Sequence, residues 1–307
     1  MAIIYPSPIF GPVRSRRLGI SLGINLLPAD GKQCTFDCVY CELTAAKPVF
    51  AAIDPPSVEQ VTAEVKTALA AHPHIDVITL TANGEPTLYP HLARLARELN
   101  LIKGSAKTLI LSNGSGALNP QICEALKELD IVKFSLDSAV QKTFTRIDRA
   151  GAKTDVNELI DAMAKFRREF KGELVLEILV VSGLNDTAVE FRALNDAVNK
   201  ILPNRVDIST IDRPPAYPVK GVSTEVLNGL ASLITGAPCV IASAKYSGEK
   251  FDLSKDELLE LIKRRPQSEN DAASSFSEGS KQNLDELLTQ KKVKKINVAG
   301  VWFYKLV

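Results

Sequence analysis

Between Leu18 and Ile241 short apolar runs alternate with helical periods, and this alternation restricts the chain to a small set of folds. Val77 to Leu80, Thr108 to Leu111, Ile131 to Phe134, Leu174 to Val181 and Val206 to Ile208 read as buried strands, with Ile20 to Leu26 as the first. Helices lie between them. Ser57 is placed to cap one, with Gln60 as its capping-box partner and Val58, Val61 and Val65 on one face. Asn119 followed by Pro120 starts another. Residues 154–170 and 186–201 carry two more, and a sixth runs from Ser223 with Leu227, Leu230 and Ile234 as its stripe. Near-continuous apolar strands separated by helices predict a parallel sheet covered by helices. Six such units fit a β/α barrel, complete or partial, or an open doubly wound sheet. Periodicity leaves both open.

After Tyr246 the pattern changes. Ser254 and Glu257 form a capping box before a helix bearing Leu258, Leu261 and Ile262. A second helix is expected over 268–276 and a third from Ser280. Val293–Val298 and Val301–Leu306 then read as a hairpin turned by Ala299-Gly300. Three short helices and a two-stranded ribbon predict a small winged-helix-like domain over 248–307, following a larger domain over 1–247. The polar stretch from Gln267 to Ser280 predicts a mobile patch. Lys291, Lys292, Lys294 and Lys295 at the ribbon could meet phosphates, or form a solvated charge run.

A formal net charge of +1 over 307 residues gives no steer toward nucleic acid or an acidic surface. No apolar run is long enough to span a bilayer, and Met-Ala-Ile-Ile-Tyr-Pro lacks the features of a signal peptide. The expectation is a cytoplasmic protein without a membrane partner. Five cysteines, three of them clustered, argue against a disulfide framework.

Those three, Cys34, Cys38 and Cys41, form a C-x3-C-x2-C loop after the first strand. Ligands bind at that carboxyl edge in β/α folds. A [4Fe–4S] cluster usually takes four thiolates, so three would leave one iron open. The alternative is structural zinc, which needs a fourth ligand from His72, His74, His91, Cys123 or Cys239. Cys123 and Cys239 read as packed thiols.

The triplet, with Tyr40 before its last cysteine, resembles the signature of the radical S-adenosylmethionine (radical SAM) superfamily. Ala82-Asn83-Gly84-Glu85-Pro86, one βα unit downstream, resembles that superfamily's Gly-Gly-Glu-Pro motif, with Asn83 in place of the first glycine. The resemblance covers residues 15–245. Phe10 to Asn25 is similar to a poorly characterised radical SAM group related to the tRNA wybutosine-synthesis (4-demethylwyosine synthase) enzymes. Those enzymes carry a second cysteine set upstream. No cysteine precedes Cys34 here, so their reaction is not transferred.

The resemblance implies an α/β fold, a partial (β/α)6 TIM-like barrel. It implies that Cys34, Cys38 and Cys41 hold a [4Fe–4S] cluster whose fourth iron chelates SAM. Reductive cleavage would then yield methionine and a 5′-deoxyadenosyl radical. Glu85 would accept from the SAM amino group, Gly84 to Pro86 would line the methionine, and Tyr40 would pack near the adenine. Asn113, Ser135 and Asp137, at the ends of later strands, would contact SAM, with Arg146 or Arg149 as a carboxylate partner. For Asn113 a turn, and for Ser135 and Asp137 a strand-end or helix-cap role, are the competing readings. A reductant such as flavodoxin or ferredoxin is implied, and the substrate is unknown, with RNA (tRNA included) or a peptide as candidates. Arg14, Arg16 and Arg17 could bind an anion or form a solvated arm. Residues 213–218, Arg-Pro-Pro-Ala-Tyr-Pro, could form a lip over the site or a rigid connector. A different class of function is an iron–sulfur sensor that binds DNA through the C-terminal domain.

Overall fold

The computed structural model describes residues 8–15, 18–28, 30–151, 154–241, 250–264, 267–298 and 301–307. The expected boundary at Ser247-Gly248, the turn at Ala299-Gly300 and the arginines at 16 and 17 lie outside the described residues.

The chain opens with β1 (Ile9–Ser15), which pairs antiparallel with β2 (Gly19–Asn25). Six alternating units follow: β2 with α1 (Val58–Ala71), β3 (Val77–Thr81) with α2 (Leu92–Ile102), and β4 (Lys107–Ser112) with α3 (Pro120–Leu126). Then come β5 (Ile131–Ser135) with α4 (Gln141–Ile147) and α5 (Val156–Glu169), β6 (Glu173–Val180) with α6 (Ala188–Ile201), and β7 (Arg205–Thr210) with α7 (Thr224–Ala231). A short β8 (Cys239–Ile241) ends the sheet. The strands lie in sequence order, and every pair from β2 to β8 is parallel. Two strands, β1 and β8, go beyond the sequence expectation. Phe10 to Asn25, expected to contain one strand, is a hairpin, because Gly19 at φ +74 turns the chain back.

The seven helices between these strands, α1 to α7, cover one face. Leu22, Ile24, Ile78, Leu80, Ile110, Val132, Phe134, Leu176 and Ile208 share one core with residues of α1 to α7. The alternate residues Val77, Leu109, Ile131 and Val175 form a separate cluster that contains no residue of a helix. A doubly wound sheet needs helices on both faces, so that alternative is excluded. The helix-free face turns polar further along the strands. There Lys133 Nζ lies 2.7 Å from Glu177 and 3.0 Å from Asp207, and Leu111 on central β4 is 38% exposed.

The helix starts follow their caps. Ser57 accepts from Gln60 N and Asn119 from Gln121 N. The capping box expected at Ser57 is half formed, because the Gln60 amide turns to Glu64 instead.

The C-terminal segment comprises α8 (Lys255–Arg264), β9 (Gln267–Ser268), α9 (Glu269–Ser275), α10 (Glu278–Thr289) and the hairpin β10 (Val293–Val298) with β11 (Val301–Leu306). β9 pairs with β11, giving a three-stranded antiparallel sheet. Leu258, Ile262, Phe276, Leu284, Leu287 and Val293 form its own core. The stretch from Gln267 to Ser280, expected to be mobile, is instead occupied by β9, α9 and the start of α10. A reciprocal capping box between Ser268 and Asp271 starts α9, which a reading of overall polarity misses.

No helix among the described residues is long and apolar enough to cross a membrane.

Candidate functional site

The cysteine loop leaves the carboxyl end of β2 and is stitched to the end of β3. Gln33 pairs with Gly84 as a parallel bridge: Gln33 N donates to Asn83 O and Glu85 N donates to Gln33 O, both at 2.9 Å. Gly84 sits at φ +144, and a Cβ there would lie 1.6 Å from Gln33 O. Only glycine permits this approach. Asn83, at the position of the motif's first glycine, has no positive φ. It clamps the two strand ends instead: its N–H donates to Asn25 Oδ1 at 2.6 Å and its Nδ2 to Pro28 O at 3.1 Å.

Glu85 is 1% exposed. Its Oε1 accepts from Thr87 N (3.0 Å), Thr87 Oγ1 (2.7 Å) and Ser112 Oγ (2.7 Å), and its Oε2 accepts from Asn113 N at 2.8 Å. Burial still outweighs these donors and raises the Glu85 carboxyl above the ordinary range. Asn113 returns to the cysteine loop, where its Nδ2 donates to Thr35 Oγ1 at 2.8 Å and lies 3.6 Å from Cys34 Sγ. Its Oδ1 accepts from Ser115 N, and Gly114 turns left-handed at φ +83, so the turn reading and the contact with the loop both hold. Gly84, Glu85 and Asn113 therefore form one edge with Cys34, and Pro86 follows Glu85 in the chain.

All five cysteines are free thiols, and the three in the loop are half-buried. Burial pushes the Cys34 thiol up to about 12, the Glu85 charge adding to it, and lifts Cys38 and Cys41 as well. The Lys32 ammonium acts against burial at Cys41 and Cys34. Phe36 N donates to Cys34 Sγ at 3.4 Å. Metal binding here must displace protons. No three His, Cys, Asp or Glu among the described residues converge as a single ion requires. A cubane takes one thiolate per iron and needs no such convergence. Free thiols on one loop, facing a cation and N–H donors, fit an anionic cluster.

Tyr40 Oη donates to Asp137 Oδ2, and its ring packs on Val39, Ile147 and Val181. Asp137 Oδ1 accepts from Leu179 N at 2.7 Å, so this carboxylate anchors the ends of β5 and β6. Beside it lies Asp148, also buried, whose Oδ1 is 3.5 Å from Cys38 Sγ. Burial raises Asp137 to about 6, and burial and the Asp137 charge lift Asp148 well above its ordinary range. Of the two, Asp148 is held more strongly in its neutral form. Ser135 ends β5 half-buried, beside Glu177 of β6, away from the cysteines' hydrogen bonds. Arg146 is exposed on α4.

The segment after β7 is strapped to the cysteine loop. Ala216 N donates to Cys41 O at 2.8 Å, Arg213 pairs with Glu42, and Tyr217 Oη donates to Asp37 Oδ2. Asp37 also takes Lys32 Nζ at 3.0 Å and Arg149 Nε at 3.3 Å, and the Arg149 guanidinium lies 4.9 Å from the Tyr217 ring centroid. Sequence reasoning missed Lys32, Asp37 and Asp148, and reached Tyr217 only as part of the 213–218 segment. Their only local signal was that Lys32 and Asp37 flank cysteines.

A parallel sheet with one-sided helices and a three-thiol loop on its carboxyl edge is the build of a radical SAM protein. Residues 30–193 match the Radical SAM superfamily. A UPF0026 protein of Helicobacter pylori (strain J99) is 40% identical over 96% of each chain. The chain thus belongs to the radical SAM superfamily and, within it, to the UPF0026 proteins. Among solved structures, a radical SAM methyltransferase from Sphaerobacter thermophilus shares the fold with a TM-score of 0.57 at 18% identity, over 72% of this chain and 65% of that one. A structure of TYW1 with a lysine–pyruvate adduct bound overlaps 93% of this chain and 80% of that one at 13% identity, and its TM-score of 0.47 is too low to carry an argument.

Proposed function

We propose that this chain is a radical SAM enzyme in which Cys34, Cys38 and Cys41 ligate a [4Fe–4S] cluster, and in which SAM binds at the adjoining edge from Gly84 to Pro86. The observation that carries this is the union of three free thiols with the Gly84–Glu85 edge through the Gln33 bridge and Asn113. When bound, the cluster supplies the electron for reductive cleavage of SAM to methionine and a 5′-deoxyadenosyl radical, which abstracts hydrogen from substrate. Glu85 Oε2, with a single donor, keeps capacity for a ligand ammonium, while Oε1 is committed to Thr87 and Ser112. Asn113 fixes the Cys34 side of the loop. Tyr40 and Asp137 form the floor of the site, and Ser135 lies on the polar inner face where a substrate would enter.

In this reading the sheet curves into a partial (β/α)6 barrel, residues 1–247 form the catalytic domain, and 248–307 form a winged-helix-like domain. The substrate is RNA (tRNA included) or a peptide, and the electron comes from a flavodoxin or ferredoxin in the cytoplasm. The DNA-binding sensor alternative has no support, since the family match lies wholly in residues 30–193.

The test is anaerobic reconstitution with iron and sulfide, followed by assay of 5′-deoxyadenosine from SAM under reduction. Wild type is expected to produce it and Cys38→Ala to produce none. A Cys38→Ala variant that still cleaves SAM would overturn the ligand assignment.

A further inference from the structure

Lys32 stands two residues before Cys34 with its side chain 3% exposed. A buried ammonium is costly unless its charge is met. Among the described residues its hydrogen-bonded carboxylate is Asp37, at 3.0 Å. Asp37 is not Lys32's alone, since it also pairs with Arg149 and accepts from Tyr217 Oη and Ala46 N. Lys32, Arg149 and Asp37 therefore sum to one net positive charge against the cysteine loop. Nearby Arg213 and Glu42 cancel each other, Glu85 lies on the Cys34 side, and the buried Asp137 and Asp148 lie on the Cys38 side, Asp148 Oδ1 being 3.5 Å from Cys38 Sγ. The Lys32–Asp37 ion pair ties a residue just before the cysteine loop to the residue before Cys38, which sets the ammonium beside the loop that carries the three thiols.

We propose that Lys32 is a fixed counter-charge to the iron–sulfur cluster, placed to favour the cluster's reduced state. This rests on the reading that the three cysteines hold a [4Fe–4S] cluster. Reduction adds one electron, supplied by a low-potential one-electron donor, and increases the negative charge of the cluster–thiolate unit. A buried cation stabilises the more negative form more than the less negative one, and local charge is one of the determinants of cluster potential. Lys32 acts through the cluster and is a positioning residue. Asp37 opposes it and holds it in place.

The experiment compares wild type, Lys32→Met, Lys32→Arg and Asp37→Asn after anaerobic reconstitution. Iron and sulfide per chain are counted first, and the cluster is then titrated with dithionite against an electrode and followed by electron paramagnetic resonance. Lys32→Met is expected to carry the wild-type cluster with its reduction equilibrium shifted about tenfold toward the oxidised form, which is 59 mV more negative for one electron. Lys32→Arg is expected to stay within about threefold of wild type by the same measure, and Asp37→Asn to shift the opposite way. Lys32→Met titrating like wild type, or Lys32→Arg shifting as far as Lys32→Met, overturns the proposal. If Lys32→Met takes no cluster and Lys32→Arg does, the charge is required from assembly onward and the proposal stands. If both fail to load, shape rather than charge is at work and the proposal falls. Wild type that takes no cluster removes the underlying reading itself, an outcome distinct from loaded variants with an unmoved potential.

Discussion

Glu85 is predicted to hold the site together before any ligand arrives. Its carboxylate is the acceptor for two backbone N–H groups, of Thr87 and Asn113, and for two hydroxyls. In Glu85→Ala the hydroxyls can rotate to other partners, since Ser112 Oγ already accepts from Gly114 N. The two N–H groups cannot. An unsatisfied buried donor costs about 1–3 kcal/mol, and removing one partner of a buried charged network costs about 3–5 kcal/mol. Relief of the buried charge, which burial already disfavours, offsets part of this. The expected net loss is about 3 kcal/mol, or roughly 6–12 °C in Tm at about 2–4 °C per kcal/mol for a unit of this size. Glu85→Gln keeps one acceptor oxygen and turns an NH2 toward a donor, so it should lose about half as much. The assay is thermal unfolding of the metal-free, SAM-free protein. A Glu85→Ala Tm within about 2 °C of wild type would refute the reasoning and reserve Glu85 for ligand alone. SAM affinity, measured well below both transitions, then isolates its second role. A loss of about 1.5–3 kcal/mol is expected if Oε2 accepts from the SAM amino group.

Two further substitutions probe the same edge. Gly84→Ala forces a Cβ onto Gln33 O and a side-chain residue into φ +144, so it should cost about 2–4 kcal/mol and loosen the cysteine loop. Denaturant unfolding measures the cost, and an unchanged midpoint would sink the stitching argument. Asp148→Asn replaces the buried carboxyl by a neutral amide able to donate to Asp137 and accept from Cys38. A raised carboxyl pKa contributes stability in full below the ordinary carboxylate range and loses it as pH rises, through about 6 for Asp137 and beyond that for Asp148. The metal-free variant should therefore match wild type only near or below about pH 4, diverge as pH rises from there, and exceed it by roughly 1–3 kcal/mol near pH 8. A difference that does not grow with pH would show that burial does not hold Asp148 neutral.

The sheet was legible because each strand from β2 to β7 is an apolar run long enough to bury its helix-facing side chains, and each helix carries a stripe at the right period. β1 and β8 were not. Ile9–Ser15 holds Gly11 and Pro12, and Cys239–Ile241 has three residues, so neither shows the density of apolar residues that marks a strand. Lys133, Glu177 and Asp207 hid a second fact. Each interrupts an apolar strand with a charge, and only their meeting across β5, β6 and β7 shows that this face carries no helices.

The cysteines, Gly84 and Glu85 could be read because their chemistry is fixed by spacing within short segments. The supporting charges could not, because their partners are distant in sequence. Arg213 reaches Glu42 across 171 residues, and Tyr217 reaches Asp37 across 180. Residues 213–218, read from sequence as a lip or a rigid connector, hold the cysteine loop through Cys41 O, Glu42 and Asp37. Asp37 thereby acquires a role its sequence neighbours do not suggest. It joins the loop to the end of β7, to Arg149 after α4 and to Lys32. Two cations and a hydroxyl competing for one carboxylate leave the Lys32 charge only partly cancelled, beside the loop that carries the three thiols.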